Sequence, residues 1–375
     1  MKPRLVFVHG IGGPRDAAAD LDEWLRAVAS GARAAGHGGR ISGLTGGWAA
    51  DARFAYYGDL FRTAGSQGSG GGPGDDEDDA VLAELLLEAV DGRLADPDAP
   101  LSAAETRALR HARTQLAPPP GAQGAGAPAR RVVNAVTTLL AVPGIRALGG
   151  WLSARTTAGM LGQVARYLNR AEPDATGTTL DRRVRARVAD CLDPDGPNIV
   201  VAHSLGTVVA LETLHEITYG TADGTRTADG TGTADGTGTA DGTGTAEGAG
   251  TAAGTRTPAG SPDGVPAGRR RPDVPLFVTL GSPLGIRSAV QPRVRPHPLA
   301  TPASVGRWLN FWDRDDLVAA RPHLETFVRP NAAAVVPASR RVDSDGAWVH
   351  PAAKYLAQPA VAGPLVEALT TLAER

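Results

Sequence analysis

The stretch Asn198–Ala210, NIVVAHSLGTVVA, decides how this chain is read. A short apolar run ends in Ala202-His203-Ser204-Leu205-Gly206, and apolar residues at helical spacing begin at once. A chain that passes from strand to helix with no intervening loop must bend sharply, and only small neighbours permit that bend. The serine at its apex is pushed clear of the sheet, where its hydroxyl can attack. An ordinary turn serine fits such a string as well, so the rest of the chain must supply what a nucleophile needs. The requirements are an oxyanion hole, a base, an acid to orient the base, and a sheet to hold them.

The N-terminal region offers the oxyanion element. Leu5-Val6-Phe7-Val8 has the composition of a buried strand, and His9-Gly10-Ile11-Gly12-Gly13 follows it. Glycines there let the backbone approach the reacting centre, so a backbone N–H near Ile11 can face a developing oxyanion. The N–H of Leu205, next after the serine, is the expected second donor.

Downstream, Pro275–Leu280 (PLFVTL) is a second β-branched run, ending in Gly281-Ser282-Pro283-Leu284-Gly285. Trp308–Trp312 reads as another strand, with Asp313-Arg314-Asp315-Asp316-Leu317-Val318 as its loop. His350 stands before Pro351 and a helical pattern carrying Tyr355, Leu356, Val361 and Leu365. The candidates therefore run Ser204, Asp316, His350, each after a strand-like segment. That is the chain order of a triad built at the edge of an α/β sheet.

On these residues the chain resembles the α/β-hydrolase superfamily, and within it the intracellular lipase- and esterase-like branch. The resemblance is carried by FVHGIGG (Phe7–Gly13), VVAHSLG (Val200–Gly206), TLGSPLG (Thr279–Gly285), NFWDRDDLVA (Asn310–Ala319) and His350. It implies a mostly parallel central sheet flanked by helices, a helical cap insertion, and hydrolysis through an acyl-enzyme without a cofactor. Asp316 falls on the family's acid. Two departures stand out: Leu317 replaces the proline common after that acid, and Ala202 replaces a glycine, which predicts slightly tighter strand packing at the turn.

Other residues compete for each role. Asp313 also follows the strand directly, and Asp343 and Asp345 serve if the acid loop is longer. Among histidines, His37, His111 and His215 fall on helical or inserted segments. His297 precedes the acid in a Pro/Arg-rich loop, and His323 leaves little chain for a last strand. His203 is expected to pack beneath the turn.

A chain of 375 residues with strands of one sheet near both ends reads as a single domain, 1–375. A formal charge of −2 gives no reason to expect nucleic acid as a partner. Lys2 and Lys354 are the only lysines, which with abundant Ala, Gly and Arg looks like coding composition rather than a binding surface. Cys191, the single cysteine, has no disulfide partner and no Cys or His companion at metal-ligand spacing, so it is expected to be a buried structural thiol. The first strand starts too early to leave room for a signal peptide, and no apolar stretch has spanning length. A cytoplasmic protein without integral membrane association is expected.

Ala17–Ala35 predicts the first crossover helix, and Arg53–Gly58 a short strand. Gly65–Asp79, glycine-rich and closing in DDEDD, predicts a flexible acidic loop. Val81–Val90, Ala103–Leu116 (with Ser102 as cap), Val132–Val142 and Trp151–Leu168 predict helices, so 65–170 reads as that loop plus a helical cap. The cap's apolar segments suit packing on the sheet and lining an acyl pocket better than lying on a membrane. From Thr221 the six-residue unit TADGTG and its variants recur. Alanine is the only apolar residue in the unit, too small to fill a calcium-binding coil, so 220–271 predicts a disordered insertion. The expected activity is a serine hydrolase acting on a small-molecule or lipid ester or an acyl-thioester. A peptidase or amidase on the same triad, or a non-catalytic binding module on the same fold, are the alternatives. Oligomeric state leaves no mark in the sequence.

Overall fold

The computed structural model describes residues 2–10, 16–41, 50–61, 75–95, 101–117, 127–140, 154–219, 272–319, 321–344 and 349–374. Its centre is a six-stranded, all-parallel sheet. The strands are β1 (Arg4–Val8), β2 (Asp51–Ala55), β3 (Pro197–His203), β4 (Asp273–Leu280), β5 (Trp308–Asp313) and β6 (Pro337–Val342), in the order β2-β1-β3-β4-β5-β6. Parallel strands are covered on both faces, which is why β1, β3 and β4 are nearly continuous in Val, Ile, Leu and Phe. Side chains alternate between the faces. Leu5, Phe7, Ile199, Val201, Val278, Leu309 and Phe311 point to the side covered by α1 (Ala17–Ala34) and the last two helices, α9 (Ala352–Leu356) and α10 (Pro359–Ala373). Val6, Val8, Val200, Ala202, Phe277 and Trp308 point to the side covered by α6 (Ala154–Asn169), α7 (Leu180–Ala189) and α8 (Leu205–Tyr219). Each fully buried side chain of this size contributes about 1.5–3 kcal/mol over its exposed state.

The short helix α2 (Gly38–Ile41) follows α1; of the segment expected to form a cap, α3 (Asp75–Ala95), α4 (Ala103–Leu116) and α5 (Ala127–Leu140) pack on one another, whereas α6 covers the sheet. Ser102 caps α4 in a full capping box with Glu105. These three helices have their own apolar cluster of Leu82, Leu86, Val90, Leu109, Leu116, Val132 and Val136, while Val81 and Leu85 of α3 join the main core.

Two expectations change. The acidic run Asp75–Asp79, expected in a flexible loop, opens α3. Residues 65–74 and the repeat region 220–271 lie outside the described residues. Cys191 is partly rather than fully buried, at the end of α7. Finally, α7 and β6 go unmarked in the sequence pattern: α7 is charge-rich, with an apolar stripe of only Leu180, Val184 and Val188, and β6 is an edge strand exposing Ala338, Arg340 and Arg341 between buried ends.

One corner of the core is ionic. Glu212 of α8 accepts from Tyr167 (2.6 Å), from the Arg295 N–H (2.7 Å), and from Arg170 and Arg185. Those two arginines also share Asp181, at 2.9 and 2.8 Å. The cluster ties α6, α7 and α8 to the segment before Arg295.

Candidate active site

From β1 the chain crosses outward to β2, whereas from β3 it crosses the other way to β4. The loops leaving β1 and β3 therefore diverge at their carboxyl ends, and a crevice opens where such a sheet reverses its winding. Gly10 and Ser204 flank it.

Ser204 joins β3 directly to α8 with φ at +55°. A non-glycine residue there costs on the order of 1–3 kcal/mol and persists only if its surroundings enforce it. They do: the Ser204 N–H donates to the Leu280 carbonyl (3.0 Å), and its own carbonyl accepts from the Thr207 N–H (2.9 Å) and hydroxyl (2.8 Å). Close approach needs glycine on either side of the crevice. A Cβ at Gly10 would stand 2.6 Å from Ser204 Cβ, and one at Gly206 would stand 2.5 Å from the Val8 carbonyl. Ala202, by contrast, is accommodated fully buried between Val8 and Thr279.

His350 Nε2 lies 3.0 Å from Ser204 Oγ, and its Nδ1 lies 2.8 and 3.0 Å from the two oxygens of Asp316. A carboxylate only accepts, so Nδ1 carries the hydrogen and Nε2 is free to take one from the serine. Asp316 Oδ1 further accepts from the Val318 N–H (3.0 Å), and Oδ2 from the Tyr355 hydroxyl (2.7 Å). Burial alone would push this carboxyl up. The charge and hydrogen bond of His350, then the Tyr355 hydroxyl and His203, outweigh it and hold the group below its ordinary range. Gly281, with φ at +53°, makes room: a Cβ there would lie 2.6 Å from Asp316 Oδ2.

Asp313, the competing acid, turns elsewhere. Its oxygens accept from the Ser344 N–H (2.6 Å) and the Asp315 N–H (2.9 Å), and burial raises its pKa. Asp343 pairs with Arg341, and Asp345 lies outside the described residues. The other histidines have separate partners: His37 faces Glu367, His215 the Ala300 carbonyl, His297 the Gln291 carbonyl and His323 Glu325, while His111 is exposed on α4.

Further neighbours shape the site. His203 is buried beneath the turn and does more than pack, because its Nε2 donates to the His350 carbonyl (2.6 Å) and fixes the backbone that carries the imidazole. His9 accepts the Tyr57 N–H at Nε2 (3.2 Å), so its Nδ1 carries the hydrogen given to the Gly10 carbonyl (2.6 Å). Tyr57 stacks on the His9 ring and donates its hydroxyl to the His9 carbonyl. A histidine next to the glycine loop was a visible signal; Tyr57 and Tyr355 carry none. Leu205 opens α8, where the first N–H groups of a helix lack intrahelical acceptors. Ile11 lies outside the described residues.

Among the described residues no group of three or more His, Cys, Asp or Glu could hold a metal ion, and no helix is long and apolar enough to cross a membrane. Comparison with protein-family models, curated proteins and solved structures finds no match to this chain.

Proposed function

We propose that this chain is an α/β-hydrolase-type serine hydrolase that cleaves carboxylic esters through an acyl-enzyme, acting in the cytoplasm on a small-molecule or lipid ester. The observation that carries the reading is the unbroken hydrogen-bonded chain from Ser204 Oγ through His350 to Asp316, set on a backbone turn held at positive φ. In this mechanism Ser204 Oγ bonds to the ester carbonyl carbon as His350 Nε2 takes its proton. The carbonyl oxygen becomes an oxyanion that the N–H groups of Leu205 and Ile11 would receive, the former at a helix start where donors face outward. His350 then passes the proton to the leaving alkoxide, and the acyl group stays on Ser204. Water, deprotonated by the same nitrogen, attacks the acyl carbon and returns Ser204 as the acid departs. Asp316 remains ionised throughout, holding the Nδ1–H tautomer and stabilising the imidazolium.

A fluorophosphonate probe tests this. The wild type is expected to be labelled and Ser204→Ala spared; equal labelling of both, or of neither, overturns the proposal.

A further inference from the structure

We propose that Tyr355 is a positioning residue of this site, its hydroxyl fixing the Asp316 carboxylate and setting how tightly that carboxylate holds the His350 imidazole. The role rests on the hydrolase reading of Ser204.

Tyr355 sits on α9, five residues after His350, and is fully buried. Its oxygen receives the Asp313 N–H at 3.0 Å. A phenol has one hydrogen, and with an N–H already directed at its oxygen, that hydrogen goes to Asp316 Oδ2 at 2.7 Å. The hydroxyl thus spans the end of β5 and the acid three residues later. Phenylalanine would fill the same core space, whereas both partners of the hydroxyl belong to the acid loop. Burial, then the charge of Asp316, hold the phenol far above its ordinary range, so the donor persists at any working pH.

Two separable effects follow. In geometry, Oδ2 takes both the tyrosine hydroxyl and His350 Nδ1; without the first, the carboxylate can rotate and the imidazole loses a fixed partner. In charge, the hydroxyl disperses part of the carboxylate's negative charge. Without it, Asp316 holds the protonated imidazolium more tightly, so the base becomes protonated at higher pH. The titratable groups around this hydroxyl are Asp316 and Asp313 from the β5 loop, His350 ahead of α9, and His203 from the end of β3, whose ring centre is 6.3 Å from that of Tyr355. Asp315 and Arg341 lie farther out, around Asp313.

The test compares the full-length wild type, Tyr355→Phe, and a protein carrying 3,5-difluorotyrosine at position 355, by p-nitrophenyl butyrate turnover from pH 5 to 9, fluorophosphonate labelling and thermal melting. In Tyr355→Phe, kcat is expected to fall about 10- to 100-fold with KM little changed. The acid limb of the rate profile should move up by about half a pH unit. The fluorinated phenol, a stronger donor of the same shape, should move that limb down. It decides the matter alone if the Phe variant does not fold. Acid limbs that coincide with wild type, or a loss uniform in pH that only follows the melting temperature, overturn the positioning role. A wild type whose Ser204 resists the probe at every pH overturns the hydrolase reading itself, and this role with it.

Discussion

The molecule contains two buried carboxylates built alike up to a point. Asp316 at the carboxyl edge of the sheet and Glu212 on α8 are both almost fully buried, and each accepts a buried tyrosine hydroxyl, from Tyr355 at 2.7 Å and from Tyr167 at 2.6 Å. Their remaining partners differ in kind. Glu212 faces Arg170 and Arg185, cations that stay protonated in any ordinary medium. Asp316 faces a histidine, the one side chain that ordinarily changes charge near neutral pH, and that histidine reaches a hydroxyl across a sheet crevice. A closed set of fixed charges can hold helices together but has no proton to move. An acid whose partner titrates and opens onto a reactive group can. Burial and a tyrosine donor alone do not mark a site; the identity of the second partner does.

The sharpest way to break this comparison is to neutralise each carboxylate. Asp316→Asn keeps the shape but presents an amide to His350 Nδ1, favouring the wrong tautomer, and kcat for a short p-nitrophenyl ester is expected to fall about 10³- to 10⁴-fold. Asp313→Asn should cost less than about tenfold, because its oxygens serve the Ser344 and Asp315 N–H groups rather than the base. Equal losses from the two would erase the distinction between them. Glu212→Gln should invert the pattern. It leaves two guanidinium groups with one fewer counter-charge in a buried corner, which costs about 3–5 kcal/mol and lowers the melting temperature by roughly 10 °C. Protein that remains folded should label at Ser204 at an unchanged rate. A Glu212→Gln protein that melts normally but no longer labels would place the ionic corner within the chemistry.

The same contrast explains what the sequence made legible. Ser204 could be read because its turn is local: strand, small residues and helix follow one another within thirteen positions. The parallel sheet could be read because β1, β3 and β4 are buried on both faces and therefore apolar throughout. His350 followed from chain order, and the structure sets it beside Ser204 although 146 residues separate them. Asp313 and Asp316 were inseparable by spacing, since one closes β5 and the other follows three residues later. What distinguishes them is three-dimensional: the space left by Gly281, the Val318 N–H and the Tyr355 hydroxyl all converge on Asp316. Polar β6 and charge-rich α7 escaped notice because edge position and partial exposure relax the apolar pattern that announces an element. Nothing around Glu212 in the chain announces the arginines that meet it.

The smallest expected effect lies where α3 meets the acid loop. Arg93 of α3 reaches Asp315, next to Asp316, at 3.2 Å. The pair resembles the ionic corner in composition but not in setting, since half of the Asp315 side chain remains in water. Solvent and salt screen such a contact, and it should contribute only about 0.2–1 kcal/mol. Arg93→Gln should therefore shift the melting temperature by no more than about 2 °C, a shift that shrinks further in high salt. Turnover of a short ester should stay within about twofold, because the backbone of the acid loop is held independently by the Asp316 N–H to the Asp313 carbonyl (3.1 Å) and the Ala319 N–H to the Asp316 carbonyl (3.1 Å). A tenfold loss of turnover with an unchanged melting temperature would mean that α3, through this one exposed pair, sets the geometry of the acid.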